Sequence, residues 1–115
     1  MRLAELEPQF VCATDVGYRY ADTLTEAQGV WFLCPVCWRQ NSGSIGTHGV
    51  LVWFRDRGVA DDQAPGPGRW NVSGTGYQDL TLAPSIDIGR GKDGTPTKCQ
   101  NEPGWHGHVA NGEVT

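Results

Sequence analysis

The sequence has no long apolar run, and this absence first excludes an α-helical membrane protein. A helix that crosses a bilayer needs about 20 predominantly apolar residues, and no stretch of the 115 residues approaches that length. Glu5 and Glu7 stand where a signal peptide would have its apolar segment. We therefore predict a cytoplasmic protein that does not associate with a membrane.

Clusters of basic residues are also missing. The chain has 9 Lys and Arg against 13 Asp and Glu, and its formal net charge is −4. Nonspecific nucleic-acid binding depends on Lys and Arg side chains that neutralise phosphates. The charge balance therefore argues against a nucleic acid as the partner.

Recognisable catalytic motifs are absent as well. No Ser stands in a nucleophile elbow, and the Gly-rich residues 73–76 are not followed by the Lys of a phosphate-binding loop. Asp61 and Asp62 are most simply explained as a solvated acidic pair. The sequence favours a binding protein over an enzyme. A zinc ion with three protein ligands and one water, with Glu102 nearby as a base, is the hydrolytic alternative.

Glycine and proline are abundant, with 16 and 7 residues, which favours turns and short elements over long helices. Apolar runs at 9–13, 30–33 and 48–54 predict strands, and so does the alternating segment 77–88, where Pro84 predicts an edge strand or a bulge. The Asn111-Gly112 dipeptide predicts a hairpin.

One short helix is predicted at residues 23–29, because Thr23 and Glu26 have capping-box spacing and Gly29 can end a helix. Residues 55–71, with Pro and Gly at their centre, predict a long surface loop. The chain length suits one domain spanning residues 1–115. We expect a monomeric, mainly β domain of short antiparallel strands with one short helix.

The most informative motif is Cys34-Pro35-Val36-Cys37, which follows a predicted buried strand and precedes a polar segment. Two thiolates at this spacing commonly bind one metal ion. A thioredoxin-type redox pair would need a helix that starts at the motif within a βαβ unit, and the Gly/Ser-rich segment that follows does not predict one. The alternatives are a redox pair, incidental buried thiols or, in a secreted protein, a disulfide between Cys34 and Cys99.

A tetrahedral structural site needs two further ligands. Cys99 and His106 are predicted because they flank the turn-forming residues 101–104. His108 and His48 are the alternatives for the histidine ligand, His48 because it begins the strand after the motif. A mixed Cys and His set favours zinc, whereas Cys12, inside an apolar strand, is predicted to be a buried thiol.

Aromatic side chains supply a second candidate site. The chain has 5 Trp in a composition poor in Leu and Ile, so some of these rings must fill the core. Three rings that converge beside loops could instead enclose a small planar or cationic ligand. The candidates for such a ligand-binding site are Trp53, Trp70, Tyr77 and Trp105.

Five stretches carry a resemblance to a family of small bacterial and prophage-encoded proteins of unassigned function, some members of which are labelled ammonia monooxygenase. They are GVWFLCPVC (29–37), GTHGVLVWF (46–54), GPGRWNVSGTG (66–76), DLTLAPSI (79–86) and GWHGHVANGEV (104–114). The resemblance covers most of the chain and implies no established activity. The monooxygenase label has no support in the sequence.

A more distant architectural similarity links the chain to β-tent domains, which are pairs of β-sheets held together by zinc, as in the cereblon group, and to zinc ribbons. It implies that Trp53, Trp70 and Trp105 would line a pocket. We expect a noncatalytic, zinc-stabilised β domain that binds a small ligand or a protein partner. The alternatives are a zinc-dependent or thiol-redox enzyme that uses the Cys/His cluster, and a mobile-element factor that acts by protein–protein contact.

Overall fold

The computed structural model describes residues 1–88 and 104–115, and these residues form two four-stranded antiparallel sheets. A short 3-10 helix, Leu3–Leu6, precedes the first strand. One short α-helix lies in the connection between the third and fourth strands of the chain. The prediction of a mainly β chain of short antiparallel strands with one short helix is confirmed.

The first sheet has the strand order β2-β1-β3-β4. Its strands are β1 (Gln9–Thr14), β2 (Gly17–Ala21), β3 (Gly29–Leu33) and β4 (Gly49–Trp53). Three of them match predicted strands, and β2 was not predicted. The pairing of β3 with β4 runs from Gly29 opposite Trp53 to Leu33 opposite Gly49. This register places the residues that follow Leu33 beside those that precede Gly49.

The second sheet has the order β5-β6-β7-β8. Its strands are β5 (Asn71–Ser73), β6 (Thr81–Ile88), β7 (Trp105–Ala110) and β8 (Glu113–Val114). The β6–β7 register shifts between Leu82 and Ile86, which confirms the irregularity predicted from Pro84. The predicted Asn111-Gly112 hairpin joins β7 to β8, and both turn residues have positive φ, at 50° and 76°, as a type I′ turn requires.

One hydrophobic core takes side chains from both sheets. Phe32 of β3 is completely buried, and its ring meets that of Trp105 of β7 edge to face, with centroids 5.9 Å apart. The main chain links the sheets as well, because Phe54 and Trp70 form a parallel bridge. Residues 55–69 connect these two positions and form most of the loop predicted at 55–71. The loop is shorter than predicted, because residue 71 already belongs to β5.

The α-helix lies at a different place from the predicted one. Residues 24–26 form a turn, in which Ala27 N–H donates to Thr23 O at 3.1 Å, and the predicted helix at 23–29 is therefore wrong. Gly29 does not end a helix, because it is the first residue of β3 and pairs with Trp53. A Cβ at Gly29 would come within 2.7 Å of the Trp53 ring, so the glycine serves sheet packing instead.

The observed helix α1 spans Pro35–Asn41 and begins inside the Cys34–Cys37 motif, where the sequence predicted a loop. Cys34 is its extended N-cap residue, and Pro35 occupies the first turn, where its missing N–H and fixed φ are compatible with a helix. Ser42 ends the helix in the left-handed conformation. The local proline signal thus prevailed over the Gly/Ser-rich composition that follows.

Two glycines with nearly equal positive φ provide a stability test. Gly112 (φ 76°) and Gly58 (φ 79°) both need left-handed backbone, but a Cβ at Gly112 would overlap the carbonyl oxygen of Gln78, whereas one at Gly58 would lie 3.7 Å from Gln28. We expect Gly58→Ala to cost about 1 kcal/mol of left-handed strain. Gly112→Ala should cost about 1–3 kcal/mol more from overpacking. Urea unfolding measures both, and equal losses would contradict the hairpin geometry.

Candidate functional site

The two cysteines of the motif are presented by the end of β3 and the first turn of α1. Cys34 N–H donates to His48 O at 3.0 Å, which extends the β3–β4 pairing by one residue, and Trp38 N–H donates to Cys34 O at 2.9 Å, which closes the first helical turn. Cys37 lies on that turn. The strand-to-helix change therefore folds both thiols toward one point.

His48 is the third member of the group. It directly precedes β4, opposite Cys34, and the two Sγ atoms and one ring nitrogen lie within 4.8 Å of one another. In a tetrahedral zinc site, Zn–S bonds of about 2.3 Å place two sulfur atoms about 3.8 Å apart. Cys34, Cys37 and His48 could therefore hold a metal ion with only small adjustments of their side chains.

The hydrogen bonding of the His48 ring is compatible with a role as a metal ligand. Its Nδ1 lies 3.2 Å from the carbonyl oxygen of Gly49, and a nitrogen facing a carbonyl at that distance acts as the donor. The neutral ring then carries its lone pair on Nε2, which is buried and has no hydrogen-bond partner among the described residues. A backbone carbonyl that fixes the tautomer in this way is the usual outer partner of a metal-binding histidine.

The Cys34 and Cys37 side chains are both buried. Cys34 is 0% exposed and Cys37 is 3% exposed, and both belong to the hydrophobic core. Structural metal sites are closed, whereas catalytic sites keep one coordination position open to water or substrate. The burial of both sulfur atoms favours a structural site.

The other predicted ligands lie elsewhere or outside the described residues. His106 and His108 are exposed on β7, and His106 Nε2 is 3.0 Å from Ser85 Oγ. The group of three described ligands includes neither histidine. Cys99 lies outside the described residues. Cys12 is buried in β1, as predicted, with its Sγ 3.3 Å from Glu26 O.

The four aromatic candidates do not form one site. Trp53 is fully buried, with its indole N–H donating to Ala64 O at 2.9 Å, and Trp105 is 4% exposed and donates to Thr115 O. Tyr77 stacks on Phe10 at 4.3 Å. Burial raises the pKa of Tyr77, and the hydrogen bond that its oxygen accepts from Phe10 N–H opposes this effect.

Trp70 lines a cavity. The cavity, of about 550 Å³, lies between the loop 55–69 and β6, and its lining includes Phe54, Arg55, Arg69, Trp70 and Pro84. No sequence pattern predicted the charged members of this lining. They become neighbours because the bridge between Phe54 and Trp70 brings the two ends of the loop together.

Comparisons with family models, curated proteins and solved structures gave no match to this chain. Among the described residues, no helix has the length and apolar character needed to cross a bilayer. The candidate sites therefore have to be interpreted from their own geometry.

Proposed function

We propose that this protein is a noncatalytic, zinc-stabilised β domain that binds a small ligand or a protein partner. The observation that carries the metal part is His48. One of its ring nitrogens lies within 4.8 Å of the Sγ atoms of Cys34 and Cys37, and its Nε2 is buried without a hydrogen-bond partner in the described structure. Two thiolates and an imidazole are typical of zinc, because soft sulfur ligands disfavour Mg²⁺ and Ca²⁺.

The metal's proposed role is to join three elements that meet at one corner of the first sheet. Cys34 directly follows β3, Cys37 lies on α1, and His48 directly precedes β4. A zinc ion would cross-link them, and its binding free energy would add to the folding free energy. This contribution matters in a chain of 115 residues that contains 16 Gly, because glycine increases the conformational entropy lost on folding.

The fourth coordination position decides between a structural and a catalytic ion. The sequence-based candidate is Cys99. Cys99 lies outside the described residues, so its candidacy rests on the Cys/His pattern of the sequence alone. In our proposal Cys99 completes the site, and Cys99→Ser should weaken zinc binding. A water molecule at this position would favour the hydrolytic alternative.

The second candidate function is thiol redox chemistry, and the start of α1 at the motif favours it. A redox pair of the thioredoxin type lies where a strand passes into a helix, as Cys34 and Cys37 do. Two observations favour the metal: β3 and β4 are antiparallel rather than parts of a βαβ unit, and both thiols are buried. In either function we propose a cytoplasmic location, where thiols stay reduced.

Native mass spectrometry of protein purified without chelator tests the metal proposal. We expect one zinc per chain in the parent and none in His48→Ala, because the variant removes one of the three described ligands. His108→Ala is the matched control, since His108 is exposed on β7, and it should keep its zinc. A folded parent without metal, or a His48→Ala variant that still binds one zinc, would overturn the assignment.

A further inference from the structure

The cavity beside Trp70 has a rigid apolar wall. The indole N–H of Trp70 donates to Ser85 O at 3.2 Å, and its ring packs so closely on Gly68 that a Cβ there would come within 2.7 Å of it. Pro84 and Pro67 also line the cavity. These groups have little conformational freedom to lose, so a flat apolar ligand group could pack against them at a low entropic cost.

Arg69 holds the loop wall in place. Its two terminal nitrogens donate to four carbonyl oxygens of the same loop, those of Ala60, Gln63, Pro65 and Gly68, at 2.8–3.1 Å. Its Nε is buried and has no partner in the described structure. The guanidinium of Arg69 is thus fixed by neutral oxygens, and no described carboxylate oxygen lies within 4.0 Å of its nitrogens.

Positively and negatively charged side chains both line the cavity, and they do not form salt bridges with one another. Arg55 and Arg69 line it together with Asp56 and Asp61, yet no nitrogen of either arginine lies within 4.0 Å of a carboxylate oxygen of either aspartate. The Arg55 side chain donates a hydrogen bond to the carbonyl oxygen of Arg69, at 3.3 Å. Opposite charges that line one cavity but stay apart are complementary to a ligand that carries both charges itself.

The backbone at one of these charges is constrained as well. Asp56 has a φ of 61°, an uncommon conformation for a residue other than glycine. Such conformations persist where the surrounding structure enforces them, and they cluster at ligand-binding sites. The preceding residue is also held, because Arg55 N–H donates to Trp70 O at 2.7 Å, and both residues line the cavity.

We propose that this cavity binds a small zwitterion with a planar apolar group, of the class of an aromatic α-amino acid. The ligand's carboxylate would pair with Arg55, its ammonium with Asp56 or Asp61, and its ring would pack against Trp70 and Pro84. This inference specifies the small-ligand role of the proposed function and does not depend on the metal. It assigns a site that the sequence indicated only through Trp70.

Isothermal titration calorimetry of the zinc-loaded protein with L-phenylalanine tests the inference. Phenylacetate lacks the ammonium and phenethylamine lacks the carboxylate, so each should bind at least tenfold more weakly. Arg55→Ala should weaken L-phenylalanine binding at least tenfold but leave phenethylamine unchanged, and Trp70→Ala should weaken all three probes. Arg19→Ala, an exposed substitution on β2, is the matched control and should change nothing.

Equal affinity for the three probes, or no binding of L-phenylalanine up to 10 mM (roughly 3 kcal/mol of binding free energy), would overturn the zwitterion assignment. If that failure occurs in protein that carries one zinc, the metal proposal stands. If L-phenylalanine binds with the expected discrimination to protein that carries no metal, the metal proposal fails and the cavity assignment stands.

Discussion

Removal of the metal is expected to lower the melting temperature by roughly 15 °C. A ligand that binds only the folded state at about 1,000 times its Kd contributes about 4 kcal/mol, and 1 kcal/mol corresponds to roughly 4 °C in a domain of this size. The effect should be large because Cys34, Cys37 and His48 connect β3, α1 and β4. Differential scanning fluorimetry in the presence of a thiol reductant, with 1,10-phenanthroline as the chelator, measures the shift.

The control for this measurement is 1,7-phenanthroline, which has the same rings but cannot chelate. It should leave the melting temperature unchanged, and addition of zinc after 1,10-phenanthroline should restore it. A melting temperature that does not respond to the chelator would show that the three side chains form no stabilising metal site. In that case the redox hypothesis for Cys34 and Cys37 would become the leading one.

Phe32→Ala should destabilise the protein by about 3–5 kcal/mol, the usual cost of truncating a buried phenylalanine. Phe32 is 0% exposed, and its ring fills the space between the sheets against Trp105. The substitution would remove this contact and leave a cavity beside β3, the strand that directly precedes Cys34. Urea unfolding of the parent and the variant at the same zinc concentration, followed by circular dichroism, measures the loss, because the contribution of the metal then cancels in the comparison.

Tyr20→Ala is the matched aromatic control. Tyr20 lies on β2 and is 65% exposed, so its replacement should change the free energy of unfolding by no more than about 0.5 kcal/mol. A loss below about 1 kcal/mol for Phe32→Ala would contradict a core shared by the two sheets, because a side chain buried between them cannot be removed at so small a cost.

The strands that could be predicted are those whose own residues favour β structure. Strand β4 contains Val50, Val52 and Trp53, and the Asn111-Gly112 turn has the backbone preferences of a hairpin. Strand β2 could not be predicted, because Tyr18, Arg19 and Tyr20 are exposed and their strand conformation comes from pairing with β1. Such pairing is a tertiary effect that a local pattern does not contain.

The sequence contains two local signals for the start of a helix, and an α-helix forms at only one of them. Thr23 does accept a hydrogen bond from Glu26 N–H, at 3.3 Å, but only a turn forms there, because the chain enters β3 at Gly29, which pairs with Trp53. Pro35 directly after an extended residue is a helix-start signal, and it was present in the sequence at the Cys34–Cys37 motif. Weighing that proline above the Gly/Ser content of the next segment would have placed the helix correctly.

For the candidate site, the sequence identified the cysteine pair and ranked the histidines by spacing. The structure brings His48, one of the predicted alternatives, to the two cysteines through the register of two strands. Leu33 lies opposite Gly49, and the next pair is Cys34 with His48. Register depends on which side chains fill the core, so spacing alone cannot give it. The charged residues that line the cavity could not be predicted from the sequence for the same reason.

The position of the three ligands along the chain has a consequence for the order of folding. Cys34, Cys37 and His48 all lie within one β3–α1–β4 unit. A metal ion that these three residues bind first would close only a short loop, before Cys99 joins as the proposed fourth ligand, and short loops close at a low entropic cost. The β6–β7 pairing, by contrast, spans the long connection between Ile88 and Trp105. We therefore expect the metal to organise the first sheet early, as a local nucleus against which the second sheet assembles.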